Sequence, residues 1–283
     1  MVTIPQLDNK DIFEQGHFRL PRLNQMPCSI NDMHQHHPEF THASYLRIRS
    51  LEDAFTMNNY LENLPKPEKS DEMSISQKIK STFQKKQNID QYITAYDRSY
   101  GIQKIFDLHM KKEYKQETLF IAAGILDRYI YLIGAQNFPK SQMVSLATIC
   151  VLMSAKLEQP ISPSFTRMIN LLTDEEKKYV SKHSLIELEA KILCKMGFDF
   201  NFPGPIQSME RFLRILNYDT NKTIMDMAYQ ICKFQLNDAR FLAYKPSLIA
   251  ASSCILAINI YEKDKEQYNN KGFFNNCKYS NGL

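Results

Sequence analysis

Glycine is scarce, with 8 residues in 283, and long runs of alternating apolar and polar residues are absent. A sheet protein built on glycine turns is therefore not expected, and the chain reads as all-α. The six cysteines (Cys28, Cys150, Cys194, Cys232, Cys254, Cys277) form no C-x-x-C pair. Four lie inside apolar helical patterns, so they read as free thiols in a reducing compartment, neither a disulfide frame nor a zinc site. His34, His36, His37 and His42 cluster, but no thiol or carboxylate framework accompanies them, and no metal is expected. No G-x-x-x-x-G-K-[ST], G-x-G-x-x-G or G-x-S-x-G occurs, and no Cys/His or Ser/His/Asp grouping has local support. The chain is expected to be no enzyme and to carry no cofactor. Net charge is only +4, with lysines and carboxylates interleaved, so the concentrated basic face of a nucleic-acid binder is missing. No apolar run reaches the roughly 20 residues of a membrane span. The N-terminal MVTIPQLDNKDIF lacks a basic region followed by an apolar one, so no signal peptide is expected.

What is present is a strongly helical pattern. The length suggests about two domains of ~100–150 residues. The most informative stretch is Ser141–Pro160, SQMVSLATICVLMSAKLEQP, bracketed by Pro139 and Pro160. Proline is tolerated at a helix start and excluded from its interior, so both ends are marked. Between Met143 and Leu157 almost every residue is apolar or small, as expected of a central helix wrapped by others. At 100° per residue, Ser141, Ser145, Thr148, Leu152 and Lys156 share one stripe. Two readings are open: close helix packing with a cation complementing the helix dipole, or a docking seam with one charge placed to bind.

Shifting the chain by 104 residues lays LATICVL (Leu146–Leu152) over AASSCIL (Ala250–Leu256). Each run follows a Lys/Pro/Ser cluster. The period is too long for a solenoid and suggests two tandem helical domains. Lys156 then falls on Ile260, so the second copy keeps the packing and drops the charge.

Further helices are expected at Ile89–Tyr114, Glu117–Ile133, Pro163–Leu172, Glu175–Met196, Ile206–Leu216, Thr220–Asp238 and Pro246–Tyr261. A flexible arm is expected at 1–43, an isolated amphipathic helix and polar linker at 44–88, a first domain at 89–200, a second at 201–262 and a polar tail at 263–283. Within Glu175–Met196, Leu185, Ile186, Leu188, Ile192, Leu193 and Met196 form an apolar arc with Glu189 inside it. An unpaired buried carboxylate costs several kcal/mol, so Glu189 needs a salt bridge within the domain or a partner's donors. Asp127, at the edge of another apolar face, has Arg98 as its best-placed cation, and the two are expected to form a partly buried structural pair.

DRSYGIQKIFDL around Arg98, ETLFIAAGILDRYI (117–130), SAKLEQ (154–159), LIELEAKILCKMGFDF (185–200) and FLAYKPSLIAASSCILA (241–257) resemble the A/B-type, mitotic-like cyclins in order and spacing. The resemblance runs from about Ser44 to Tyr261. It implies two tandem five-helix cyclin boxes, the second expected to be incomplete after Tyr261. It also implies a regulatory subunit that binds a cyclin-dependent Ser/Thr kinase and controls cell-cycle progression in the nucleus and cytoplasm, with no nucleic-acid or membrane partner. On the same resemblance, Lys156 and Glu189 grip kinase backbone, and Met153, Leu157, Leu193, Phe198 and Phe200 match apolar positions around them. Arg98 and Asp127 match the family's internal salt bridge. The segment Asp97-Arg98-Ser99-Tyr100-Gly101, with Lys104 after it, departs from the family's Met-Arg-Ala-Ile-Leu and tryptophan patch, which counts against docking of R-x-L substrates. No R-x-x-L is present, so the usual destruction signal is missing. The alternatives are a cyclin-box factor resembling transcription factor IIB, which pairs the fold with a zinc ribbon and a basic face, a transcriptional cyclin, and a helical catalytic domain.

Overall fold

The computed structural model describes residues 42–61 and 93–279. The expected arm up to residue 41, with His34, His36 and His37, the linker at 66–87 and the expected helix start at 89–92 lie outside these residues. Every regular element among the described residues is helical. In order they are α1 (His42–Phe55), α2 (Ala95–Lys112), α3 (Gln116–Ile133), α4 (Met143–Glu158), α5 (Phe165–Ile169), α6 (Asp174–Lys177), α7 (Lys182–Lys195), α8 (Pro205–Ile215), α9 (Lys222–Asn237) and α10 (Pro246–Tyr279), with short 3-10 turns between some of them. No described helix is long and apolar enough to cross a membrane.

In the first domain, α4 runs through the middle and packs against α2, α3, α5 and α7. Leu146, Ile149, Val151 and Leu152 on its different sides are all fully buried, each contributing about 1.5–3 kcal/mol of transfer free energy. That encirclement explains a helix apolar almost all round. It also settles the stripe: Ser145, Thr148 and Leu152 are buried, and Thr148 bonds back to the Val144 carbonyl at 2.7 Å. The stripe reaches solvent at its two ends, Ser141 and Lys156. In the second domain, α10 takes the corresponding place against α8 and α9. Ala250, Cys254 and Ala257 are buried, whereas Leu248, Ile255, Leu256 and Ile260 stay exposed. Two described helices pack along α10 where four pack along α4, and the side carrying Leu248, Ile255, Leu256 and Ile260 faces solvent.

Several expected boundaries move. α2 starts at Ala95 because Thr94 and Asp97 form a capping box, which satisfies two otherwise orphaned N–H groups. The expected Glu175–Met196 helix is two helices, each with its own box at Thr173/Glu176 and Ser181/Ser184, with buried Val180 between them. The expected polar tail is helical: α10 runs on without interruption to Tyr279. No proline follows Pro246, and Glu, Lys and Gln are good helix formers, so the backbone has no local reason to stop at Tyr261.

The largest correction concerns α1, which is shorter than expected and not isolated. It docks on both domains. Glu52, almost fully buried, accepts from the backbone N–H of Ser247 at 2.6 Å and from its hydroxyl at 2.7 Å. The carboxylate thus sits at the N-terminus of α10, where unpaired N–H groups and the helix dipole favour an anion. Arg49 donates to the Ser247 hydroxyl, and Asp53 pairs with Lys245. At the other end, Phe55 meets Phe202 edge to face and Arg128 lies 4.4 Å over the Phe55 ring. Phe202 lies close against α3 because residue 124 is glycine: a Cβ there would come within 2.5 Å of the Phe202 ring.

Candidate functional site

Two charged side chains expected on apolar faces meet each other. Lys156, in the last turn of α4, and Glu189, on α7, pair at 2.6 Å between Nζ and Oε1. The Lys156 ammonium also lies 5.1 Å from the centre of the Phe165 ring, within cation–π range. The pair is half-exposed, with side-chain accessibilities of 37% and 17%. It engages one of the three Nζ donors and one of the two carboxylate oxygens. Each end therefore keeps hydrogen-bonding capacity beyond the partner it has. The carboxylate is neither unpaired nor fully buried, so of the two readings open for Glu189 an internal bridge is formed, and it faces outward.

The apolar residues grouped with this pair divide. Leu157 and Phe198 are largely exposed. Phe198 sits at φ 59°, a left-handed conformation uncommon for a bulky residue, and follows the Met196–Gly197 end of α7. Leu193 and Phe200 are half-buried against the core. Met153 does not belong to the face: it is 5% exposed and lies in the core. On a fully encircled helix, one turn back from Lys156 is already interior. Ile186, expected in the buried arc of α7, is 43% exposed, one turn from Glu189. Ile161, 79% exposed, was not singled out. Its only sequence signal is an isoleucine stranded between Pro160 and Pro163.

The second charged pair is structural. Arg98 is 2% exposed and grips Asp127 with two bonds, Nε to Oδ1 at 2.7 Å and Nη2 to Oδ2 at 2.8 Å. Its remaining nitrogen, Nη1, donates to the Leu236 carbonyl at the end of α9, linking the domains. Tyr60 donates to Asp127 Oδ1 at 2.8 Å. The pair is fully buried, where partial burial was expected, and Tyr60 was missed as its third member. Burial disfavours the Arg98 cation, but Asp127 and then Tyr60 outweigh it and hold the guanidinium above its ordinary value. Burial, reinforced by Asp127, pushes the Tyr60 hydroxyl well up. The α2 segment that departs from the family's docking patch is ion-paired: Lys104 meets Glu176 at 2.5 Å and Asp97 meets Lys140 at 3.2 Å. No group of three His, Cys, Asp or Glu residues placed to hold a metal occurs among the described residues.

This arrangement is that of a two-box helical interaction module. The N-terminal domain model of the cyclins matches residues 68–201, and the C-terminal domain model matches 200–281. The chain belongs to the cyclin family. It is 28% identical over 160 residues to Cyclin-B2-1 of Oryza sativa subsp. japonica, covering 56% of this chain and 36% of that protein. It is 27% identical over 160 residues to the G2/mitotic-specific cyclin CLB2 of Candida albicans (56% and 31% covered) and 25% identical over 185 residues to G2/mitotic-specific cyclin-2 of Saccharomyces cerevisiae (65% and 36% covered). The chain thus spans about a third of the length of these curated relatives. Among solved structures, a viral cyclin from herpesvirus saimiri shares the fold with a TM-score of 0.52 and 17% identity, over 59% of this chain and 71% of that one.

Proposed function

We propose that the chain is a regulatory subunit that binds and activates a cyclin-dependent Ser/Thr protein kinase, acting in the nucleus and cytoplasm to control cell-cycle progression, with no catalysis of its own. The observation that carries the reading is the Lys156–Glu189 pair, held at the open end of an otherwise enclosed helix and beside exposed Leu157 and Phe198. An interface of this kind needs apolar anchors around polar groups that can bond to a partner's backbone. A rigid helical face of fixed charge geometry then favours whichever kinase conformation fits it, shifting the kinase toward its competent state. The α2 patch is ion-paired, which counts against docking of an R-x-L peptide there. The relatives found are named mitotic cyclins, which favours this reading over that of a general transcription factor.

Affinity capture with the tagged chain is expected to recover a Ser/Thr kinase. Lys156→Ala with Glu189→Ala is expected to abolish most of that recovery, since each truncated interface anchor costs ~2 kcal/mol or more. Undiminished recovery by a double variant with native circular dichroism would reject this face as the docking surface.

A further inference from the structure

Between the two boxes, under the C-terminal end of α1, lies a cavity of about 150 Å³. Phe55 of α1, Phe120 and Gly124 of α3, and Phe202 of the inter-box segment line one part of it, and Leu242 and Ile249 of the second box line another. Every charged or amide side chain in the lining already has at least one partner, and the exposed surface of the lining is mostly apolar. Arg98 donates to Asp127 and to the Leu236 carbonyl. Glu52 accepts from Ser247, and Arg128 donates to the Phe55 carbonyl. Gln235 accepts from Ser253, while Asp238 and Lys245 pair with Arg240 and Asp53. The Thr56 hydroxyl is turned back onto the Glu52 carbonyl. The Cys232 thiol, pushed up to about 11 by burial, is neutral.

These commitments decide the chemistry of an occupant. A charged group entering the cavity would leave water for a lining whose exposed surface is mostly apolar, which costs several kcal/mol. An enclosed apolar cavity of about 150 Å³ accommodates benzene; this one has that volume and is partly open. Ligand sites favour domain interfaces and apolar, aromatic linings, and this cavity has both. We propose that the inter-box cavity binds a small neutral apolar molecule about the size of one aromatic ring, and that docked α1 closes it. An occupant restores dispersion contacts that the lining lacks when the space is void. Because α1 contributes Phe55 to the wall, occupancy also holds α1 against both boxes.

The test uses the intact 283-residue chain, with toluene and sodium benzoate as probes. Toluene is expected to raise Tm by a few degrees at about 100 times its Kd. Benzoate, of similar size but charged, is expected to leave Tm unchanged. Methyl NMR shifts on adding toluene should concentrate at Leu242 and Ile249 and spare Leu146 in the first-box core. Leu242→Trp, which fills the space, should remove the toluene response; if that variant fails to fold, Ile249→Phe fills it from α10. Glu52→Ala, which releases α1, should weaken toluene binding. No rise with toluene, an equal rise with benzoate, or a full rise in a folded cavity-filling variant would each overturn the proposal.

Discussion

Asp127 accepts bonds from two segments at once, Arg98 of α2 and Tyr60 of the stretch after α1. Its loss should therefore be felt beyond one helix pair. Asp127→Asn keeps the shape but leaves the Arg98 cation buried without its counter-charge, so unfolding free energy should fall by about 3 kcal/mol, measured by urea denaturation. Tyr60→Phe removes one hydrogen bond to a charged acceptor and should cost about half as much. A residue of different character is His109, buried on α2 with Nε2 2.9 Å from the Lys115 carbonyl. Burial lowers its pKa, Lys233 adds to that, and the Lys115 carbonyl opposes it. The unfolded chain then binds a proton, at about pH 6.5, before the folded chain does. Stability from this group is fully present above that pH and is lost as pH falls through the lowered folded value. His109→Gln should flatten the fall in Tm between pH 7 and 5.

At the scale of elements, α1 is held by charge and polar contacts at one end and by aromatic contacts at the other. Glu52→Ala leaves the α10 N-terminus without its anion and should cost about 1–2 kcal/mol. Limited proteolysis should then cut at α1 while the core helices resist; cleavage no faster than in the unaltered chain would contradict this docking. The bare side of α10 behaves in the opposite way. Leu256 and Ile260 are 47% and 39% exposed. Polar replacements there should move stability by no more than about 0.5 kcal/mol, whereas Ala257→Leu, one position from Leu256 but fully buried, should cost about 1–3 kcal/mol through overpacking.

At the scale of the whole molecule, the boxes are coupled by packing of α9 on α2 and of α8 on α3, by the Arg98 bond to the Leu236 carbonyl, by the Phe120–Tyr229 edge-to-face contact, by Lys233 over the Phe106 ring and by α1 itself. The unaltered chain should therefore melt in one calorimetric transition. In Arg98→Leu the pair and the inter-box bond vanish together, and the second box, with fewer described helices around its central one, should melt first as a separate transition. A single undivided transition in that variant would show that the remaining contacts suffice to couple the boxes.

Helical class, the enclosed character of α4 and the doubling of the box were legible in the residues. Apolar periodicity, scarce glycine and paired proline boundaries are local consequences of backbone geometry and burial. The misfit of Asp127 and Glu189 was legible too, because a carboxylate on an apolar face demands a partner wherever the chain goes. Which partner answers was not. Lys156 and Glu189 lie 33 residues apart, Arg98 and Asp127 lie 29 apart, and Glu52 and Ser247 lie 195 apart. No local pattern encodes pairings at such separations. Met153 fell to the core and Ile186 to the surface because the number of neighbouring helices, rather than the helical period, fixes how wide a buried face is. The sequence by itself determined that charges had to be satisfied; tertiary packing decided that α1 docks, that Tyr60 joins Arg98 and Asp127, and that Lys156 and Glu189 meet at the surface.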